Sequence, residues 1–250
     1  MTELDELLGK IISAISQTVP EKRIGIAFSG GVDSTVIAKI CSGMGYGITL
    51  LTIGFAGSHD ITFSKQVSDI LKFRHKILEI NPDEFDDISK KIKSTINTEN
   101  LSWNENCIAF YHVAKLAKSL DLKAIVTANG IDELFCGYNG YRDAIKEGEG
   151  KVAELVESKL KNELDMMKAV NSVCSEFGVK IVQPLLSADF VSYAKTIPIS
   201  EKIADENDLL RKHIIRKLAL KIGVPELSAN ARKKALQYGS LIHKALIKSR

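Results

Sequence analysis

Two stretches of this 250-residue chain combine the residue types that handle phosphate and charge. The first is Phe28-Ser29-Gly30-Gly31-Val32-Asp33-Ser34-Thr35, which follows a short apolar run, Ile24 to Phe28, and opens a helical pattern. Paired glycines let backbone approach a phosphate without Cβ obstruction, and the free N–H groups of a helix start point at the anion. Ser29, Ser34 and Thr35 add hydroxyl donors. Asp33 is the odd member, because a carboxylate repels phosphate unless a cation lies between them. A Mg²⁺ held by Asp33 and phosphate oxygens resolves that conflict. No Lys-Ser/Thr pair closes the loop, so it is not a Walker A motif. A Gly-Gly turn with an acidic cap uses the same residues, but strand, turn and helix in sequence favour the phosphate loop. The second stretch is Ala128-Asn129-Gly130-Ile131-Asp132-Glu133-Leu134-Phe135. Its adjacent acids open a helix, where they either simply suit the helix dipole or, with Asp33, share the metal beside departing phosphate.

The elements that must position these loops are legible as alternating apolar runs and helical faces. Leu4, Leu7, Leu8, Ile11, Ile12 and Ile15 predict a helix that Pro20 ends. Ile24–Phe28, Ile48–Ile53, His75–Ile80 and Ala124–Ala128 predict strands, with helices over 32–41, around 61–71, after Pro82 and over 105–119. Strands joined by helical crossovers mean an α/β fold with a doubly wound parallel sheet. Both loops then leave carboxyl ends of strands, where such sheets bind ligands. From Val152 the pattern is mostly helical, broken at Val179–Val182 and Pro184. Residues 1–20 are expected to be an N-terminal helix and 21–250 a single unit, with a nucleotide-binding core over 21–145 and a helical part over 146–250. The polar segment 140–178 is expected to be a mobile excursion.

Composition narrows the class. Apolar residues make up 45% and charged residues 26%, ordinary for a globular chain. No apolar run approaches the ~18 residues that span a bilayer, and no membrane role is expected. Cys41, Cys107, Cys136 and Cys174 show no CxxC spacing, which suits reduced thiols in a cytoplasmic protein. The net charge of +3 hides an asymmetry: Arg211–Arg250 holds eleven Lys/Arg and one acid, leaving 23 bases against 30 acids before it. A basic end suits an anionic ligand, phosphate or nucleic acid, although terminal helices also show lysines to water.

The SGGxDS run resembles the pyrophosphate loop of the PP-loop (N-type) ATP pyrophosphatase superfamily, whose members cut ATP between the α and β phosphates and adenylate a substrate. Gly130-Ile131-Asp132-Glu133-Leu134-Phe135-Cys136-Gly137-Tyr138 is similar to the G-x-D-E-h-F-x-G-Y signature of the synthase domain of asparagine and β-lactam synthetases. Residues 178–190 and Arg232–Gly239 resemble later segments of that domain; the second is its R-x-K stretch, which places the catalytic lysine on Lys234, with Lys233 one residue away. The resemblance covers residues 20–245. It implies an adenine nucleotide alpha hydrolase-like fold, ATP and Mg²⁺ as cofactors, and an amidoligase that activates a small, aspartate-like carboxylate before ammonia or an amine displaces AMP. Ser29 to Thr35 and Gly130 would then cradle the nucleotide, Leu51 to Gly54 (Leu51 and Ile53 in particular) would face adenine, Asp33 and Asp132 would hold the metal, and Asp132, Glu133 and Lys234 would serve catalysis.

Two departures stand out. About twenty residues precede the first strand and residue 2 is Thr2, so no cysteine-bearing glutaminase domain is expected; ammonia would come from solution or from a separate glutaminase subunit. The family's G-E-G-x-D-E reads Ala-Asn-Gly-Ile-Asp-Glu, so Asn129 stands where asparagine synthetase has a glutamate that handles ammonia. Arg211, Lys212, Arg216 and Arg232 are candidates to line the path of phosphate or an acidic substrate. Trp103, read as a loop residue, either flanks a substrate mouth or, as a single aromatic in a loop more often does, just packs, and Glu99 and Glu105 are weaker candidates for a substrate amine. His75, His112 and His213 read as surface or core. Two other functions stay open: a tRNA- or other RNA-modifying PP-loop ATPase, favoured mildly by the basic end but not by the unpaired cysteines, and a nucleotide-binding regulatory subunit. A homodimer is compatible with either.

Overall fold

The computed structural model describes residues 2–248; of the expected boundaries, Met1 and Arg250 lie outside them. Helix α1 (Glu3–Thr18) leads into β1 (Arg23–Ala27), α2 (Val32–Gly43), β2 (Gly47–Gly54), α3 (His59–Leu71) and β3 (His75–Glu79). Then come α4 (Pro82–Ile96), α5 (Leu101–Ser119), β4 (Ala124–Val126), α6 (Ile131–Leu134), α7 (Gly140–Lys146) and α8 (Glu149–Cys174). The chain closes with β5 (Lys180–Val182), α9 (Ala188–Thr196), α10 (His213–Lys221), α11 (Glu226–Ala229), α12 (Leu236–Gly239) and α13 (Ile242–Lys248).

The five strands pair in the order β3-β2-β1-β4-β5, all parallel. Their central members are buried on both faces, which is why β2 is buried without a break from Thr49 to Gly54 rather than on alternate residues. One core holds Ile24, Ile26, Val36, Ile37 and Leu50 under α1 and α2; the other holds Leu51, Ile53, Ile125 and Ile181 under α5 and α8. The chain winds from β1 outward to β2 and β3, then returns to β4 on the opposite side. The gap between β1 and β4 is therefore the topological switch point, and the loops after both strands open onto it. The interruption at Val179–Val182 is the fifth strand.

Two expectations are corrected. The segment 140–178 is not a mobile excursion: α8 runs 26 residues and buries Val152, Val156, Leu160, Met166, Met167, Val170 and Val173. Its polarity is that of a helix with one apolar stripe, and charged residues occupy the remaining faces. Trp103 is not in a loop. Asn100 caps α5 by accepting the Trp103 N–H at 3.2 Å, which starts the helix earlier than its apolar periodicity alone does. No helix among the described residues is long and apolar enough to cross a membrane.

His112 on α5 is 3% exposed, neither ring nitrogen has a hydrogen-bond partner among the described residues, and burial holds its pKa down at about 4. A histidine kept neutral in the fold destabilises it on acidification, because the unfolded chain takes the proton first, near pH 6.5. Its contribution is intact above pH 6.5 and is lost as pH falls towards 4, by roughly 3 kcal/mol. Relative to the native chain, His112→Leu is expected to gain stability progressively between pH 7 and pH 4, read from urea unfolding at each pH.

Candidate active site

The loop after β1 is shaped by its glycines. Gly30 takes a left-handed φ of 80°, and a Cβ there would press on Phe63 and its carbonyl. Gly31 caps α2 without a side-chain hydrogen bond, so the first N–H groups of the helix face outward for an anion. Thr35 is buried and donates to the Gly31 carbonyl at 2.8 Å; Ser228, from α11, donates to Gly30 O at 2.7 Å, with Thr35 Oγ1 at 2.9 Å from the same hydroxyl. Thr35 thus braces the loop from below, and the Val32 side chain enters the core, while Ser29, Asp33 and Ser34 line the cleft. That cleft, about 270 Å³, also takes in Leu51, Thr52 and Ile53 at the end of β2 and Thr127, Asn129, Asp132 and Glu133 after β4.

The second loop diverges at its two acids. Gly130 takes φ 107° against the Leu185 backbone. Glu133 folds back to accept the Gly130 N–H at 3.0 Å and the Tyr138 hydroxyl. Burial, then the neighbouring Asp132 charge, push the Glu133 pKa up. Asp132 points the other way. Its Oδ1 lies 2.5 Å from Lys212 Nζ, which is also 2.5 Å from Asp33 Oδ2, and its Oδ2 pairs with Lys233. Burial raises the Asp132 pKa, but the two ammonium groups outweigh it and hold the carboxyl below its ordinary value. Asp33 and Asp132 do converge on one cation, and that cation is Lys212.

This bears on magnesium. Glu133 does not stand with the pair it was expected to join, and among the described residues no three His, Cys, Asp or Glu side chains form a metal-holding group. Lys212, 2.5 Å from an oxygen of each, already balances part of the charge that a cation would otherwise meet on Asp33 and Asp132.

The basic C-terminal residues divide sharply. Arg211, Lys212 and Arg216 are buried. Arg211 donates to Gly137 O and Asn139 at 3.1 Å. Arg216 donates to the carbonyls of Leu210, Arg211, Ala229 and Ala231, tying the segment that carries Lys212 to the one that carries Lys233. Arg232 is exposed; Lys234 is exposed at the cleft. Asp60 of α3, whose pKa burial lifts to about 6, feels the charges of both Lys233 and Lys234.

One group escaped the sequence reading. Glu163 of α8 is 4% exposed, lines the cleft and accepts the Asn129 amide at 2.6 Å. Burial first, then the Glu133 charge, raise its pKa to about 8. The signal was a glutamate on the buried stripe of α8, between Leu160 and Met167. The weaker candidates fall elsewhere: Glu99 pairs with Lys93 on the surface, and Glu105 is buried against His243 at 2.5 Å. Trp103 Nε1 donates to Asn162, a cleft residue, at 3.0 Å.

A parallel sheet with a glycine loop and an acidic loop meeting at its switch point defines an α/β protein of the doubly wound class, in which ligands bind at such switch points. Comparison with known proteins makes this specific. Residues 3–178 match the asparagine synthase family model, and the chain belongs to that family. It is 29% identical over 255 residues to a Methanocaldococcus jannaschii protein described as a glutamine-hydrolyzing asparagine synthetase 1, covering 87% of this chain and 46% of that one. It is 24% identical to the glutamine-hydrolyzing asparagine synthetase 3 of Arabidopsis thaliana over 215 residues, covering 82% and 37%. The chain spans less than half the length of these relatives. An NMN synthetase from Francisella tularensis shares the fold, with a TM-score of 0.52 at 16% identity, covering 95% of this chain and 78% of that one.

Proposed function

We propose that this protein is an ATP-dependent amidoligase that adenylates a small, aspartate-like carboxylate and passes the acyl group to ammonia or an amine in the cytoplasm. The observation that carries this reading is the meeting of Asp33, Asp132 and the buried Lys212 beside the Gly30-Gly31 loop, at the switch point of the sheet. ATP would lie across the strand ends, its adenine against Leu51 and Ile53, its phosphates on Ser29, Ser34 and the N–H groups of Gly31 and Val32. A substrate carboxylate oxygen attacks the α-phosphorus; the α–β bond breaks and pyrophosphate leaves with its electron pair. The amine then attacks the acyl carbon, AMP departs, and the proton lost by the amine needs an acceptor.

Lys234, exposed at the cleft, would offset charge on the transferring phosphoryl group. Lys233 is committed to Asp132, which favours Lys234 for that task. Asn129 cannot take a proton as a carboxylate does, but Glu163 behind it can. Glu133, holding Gly130 and Tyr138, shapes the loop between them. An RNA-modifying role draws less support, because Arg211, Lys212 and Arg216 spend their charge inside the protein. A separate glutaminase subunit is a natural ammonia source. The reading is tested by incubating the protein with labelled ATP, Mg²⁺ and a panel of amino acids, with and without ammonium. AMP and pyrophosphate are expected with one acid of the panel; ADP and phosphate would reject the reading.

A further inference from the structure

We propose that the Lys212 ammonium is the resident counter-ion of the Asp33–Asp132 pair, so that the nucleotide-free protein takes up no divalent cation there and Mg²⁺ enters only together with the nucleotide. Two carboxylates brought this close repel each other, and a fold either binds a metal between them or supplies its own charge. Here the fold supplies it. Lys212 Nζ sits 2.5 Å from an oxygen of each, with its side chain only 2% exposed. Lys233 adds a second ammonium on the far oxygen of Asp132, so the four side chains are neutral as a set.

Several features fix Lys212 in this place. Its backbone takes the left-handed φ of 56° at the start of α10, directly after Arg211 at 48°. Its N–H donates to the Lys202 carbonyl at 2.6 Å, and the Arg216 guanidinium holds the Leu210 and Arg211 carbonyls that lead into it. Gly137 packs so close that a Cβ there would overlap both Asp132 and the Lys212 stem. A side chain this constrained does not swing aside for a hydrated Mg²⁺, which holds its own water shell tightly. A polyanion is a different visitor: its oxygens compete directly with the carboxylates for Lys212, and they carry the metal with them. Asp33 Oδ1, buried without a hydrogen-bond partner, is an oxygen that would remain for a cation arriving with the nucleotide.

The part played by nucleotide rests on the ATP reading above, but the cation test does not, since it needs neither turnover nor nucleotide. Titrating nucleotide-free protein with Mn²⁺, followed by the loss of free-ion paramagnetic resonance signal, is expected to show no stoichiometric uptake below millimolar concentration. Lys212→Met is expected to create one Mn²⁺ site per chain, at least tenfold tighter than anything in the parent, and Asp33→Asn in that background is expected to abolish it. Stoichiometric uptake by the parent protein that disappears in Asp132→Asn would overturn the proposal, as would a folded Lys212→Met protein that takes up no Mn²⁺. Should Lys212→Met fail to fold, the titrations of the parent and of Asp132→Asn decide alone.

Discussion

Glu163→Gln is expected to leave carboxylate-dependent pyrophosphate exchange within a few-fold of the parent while slowing amide formation by about 10²–10⁴-fold, the usual worth of a positioned proton acceptor. The two half-reactions separate because only the second loses a proton from the nucleophile. The pH dependence follows from the groups that face Glu163. Asn129 donates to it from the loop after β4, Glu133 and Asp132 repel its charge from α6, and Lys233 draws it down from the C-terminal segment. Burial and the acids win, and the carboxyl titrates at about 8. As a base it acts only when ionised, so amide formation at a fixed concentration of unprotonated amine is expected to rise with pH up to about 8 and then level. In Glu163→Gln that limb should vanish. Stability has the opposite sense: an acid whose folded pKa is raised destabilises the fold progressively as pH climbs from about 4.5 through 8. Glu163→Gln should therefore be at least as stable as the parent at pH 9, so lost activity cannot be ascribed to unfolding. A Glu163→Gln protein that keeps full amide formation with an unchanged pH profile would remove Glu163 from the chemistry.

Lys234→Ala is expected to lower substrate-dependent pyrophosphate release by about 10²–10³-fold, the range seen when one preorganised charge partner of a transition state is removed. Lys233→Ala is expected to act differently. It strips one of the two ammonium groups from Asp132, a mostly buried carboxylate in the site, and leaving a buried charge undercompensated costs stability, about 3–5 kcal/mol for a wholly buried pair and less here because Lys212 remains. Lys233→Ala should thus show a lowered unfolding midpoint together with lower turnover, and Lys234→Ala lower turnover at an unchanged midpoint. If alanine at 234 leaves pyrophosphate release intact while alanine at 233 abolishes it without loss of stability, the two roles are reversed.

The parts of this molecule that follow from local rules were readable in the residues. Ile24–Phe28 and Ile48–Ile53 announce buried parallel strands because both faces of such strands are covered, and Gly30-Gly31 announces a loop that needs a left-handed turn. Parallel topology alone brings the loops after β1 and β4 together, which is why Asp33 and Asp132 were expected to meet. What the residues did not disclose was the third party. Lys212 lies 179 positions from Asp33 along the chain, and nothing in a lysine's neighbours in sequence says whether it faces water or a carboxylate pair. Glu163 was hidden for a related reason. The charges of 149–174 obscure a stripe spaced at three and four residues, and a glutamate on that stripe is noticed only once α8 is known to lie against the cleft. Asp132 and Glu133, adjacent in sequence, were expected to share one task. A helix start turns neighbouring side chains about 100° apart, which sends one to Lys212 and the other back to Gly130.

The most direct test of the account follows oxygen. With the carboxylate oxygens of L-aspartate, or of whichever acid in the panel supports turnover, labelled with ¹⁸O, adenylation predicts that one labelled oxygen appears in AMP and that pyrophosphate stays unlabelled. Label in inorganic phosphate alongside ADP, or AMP that takes its new oxygen from water, would contradict it.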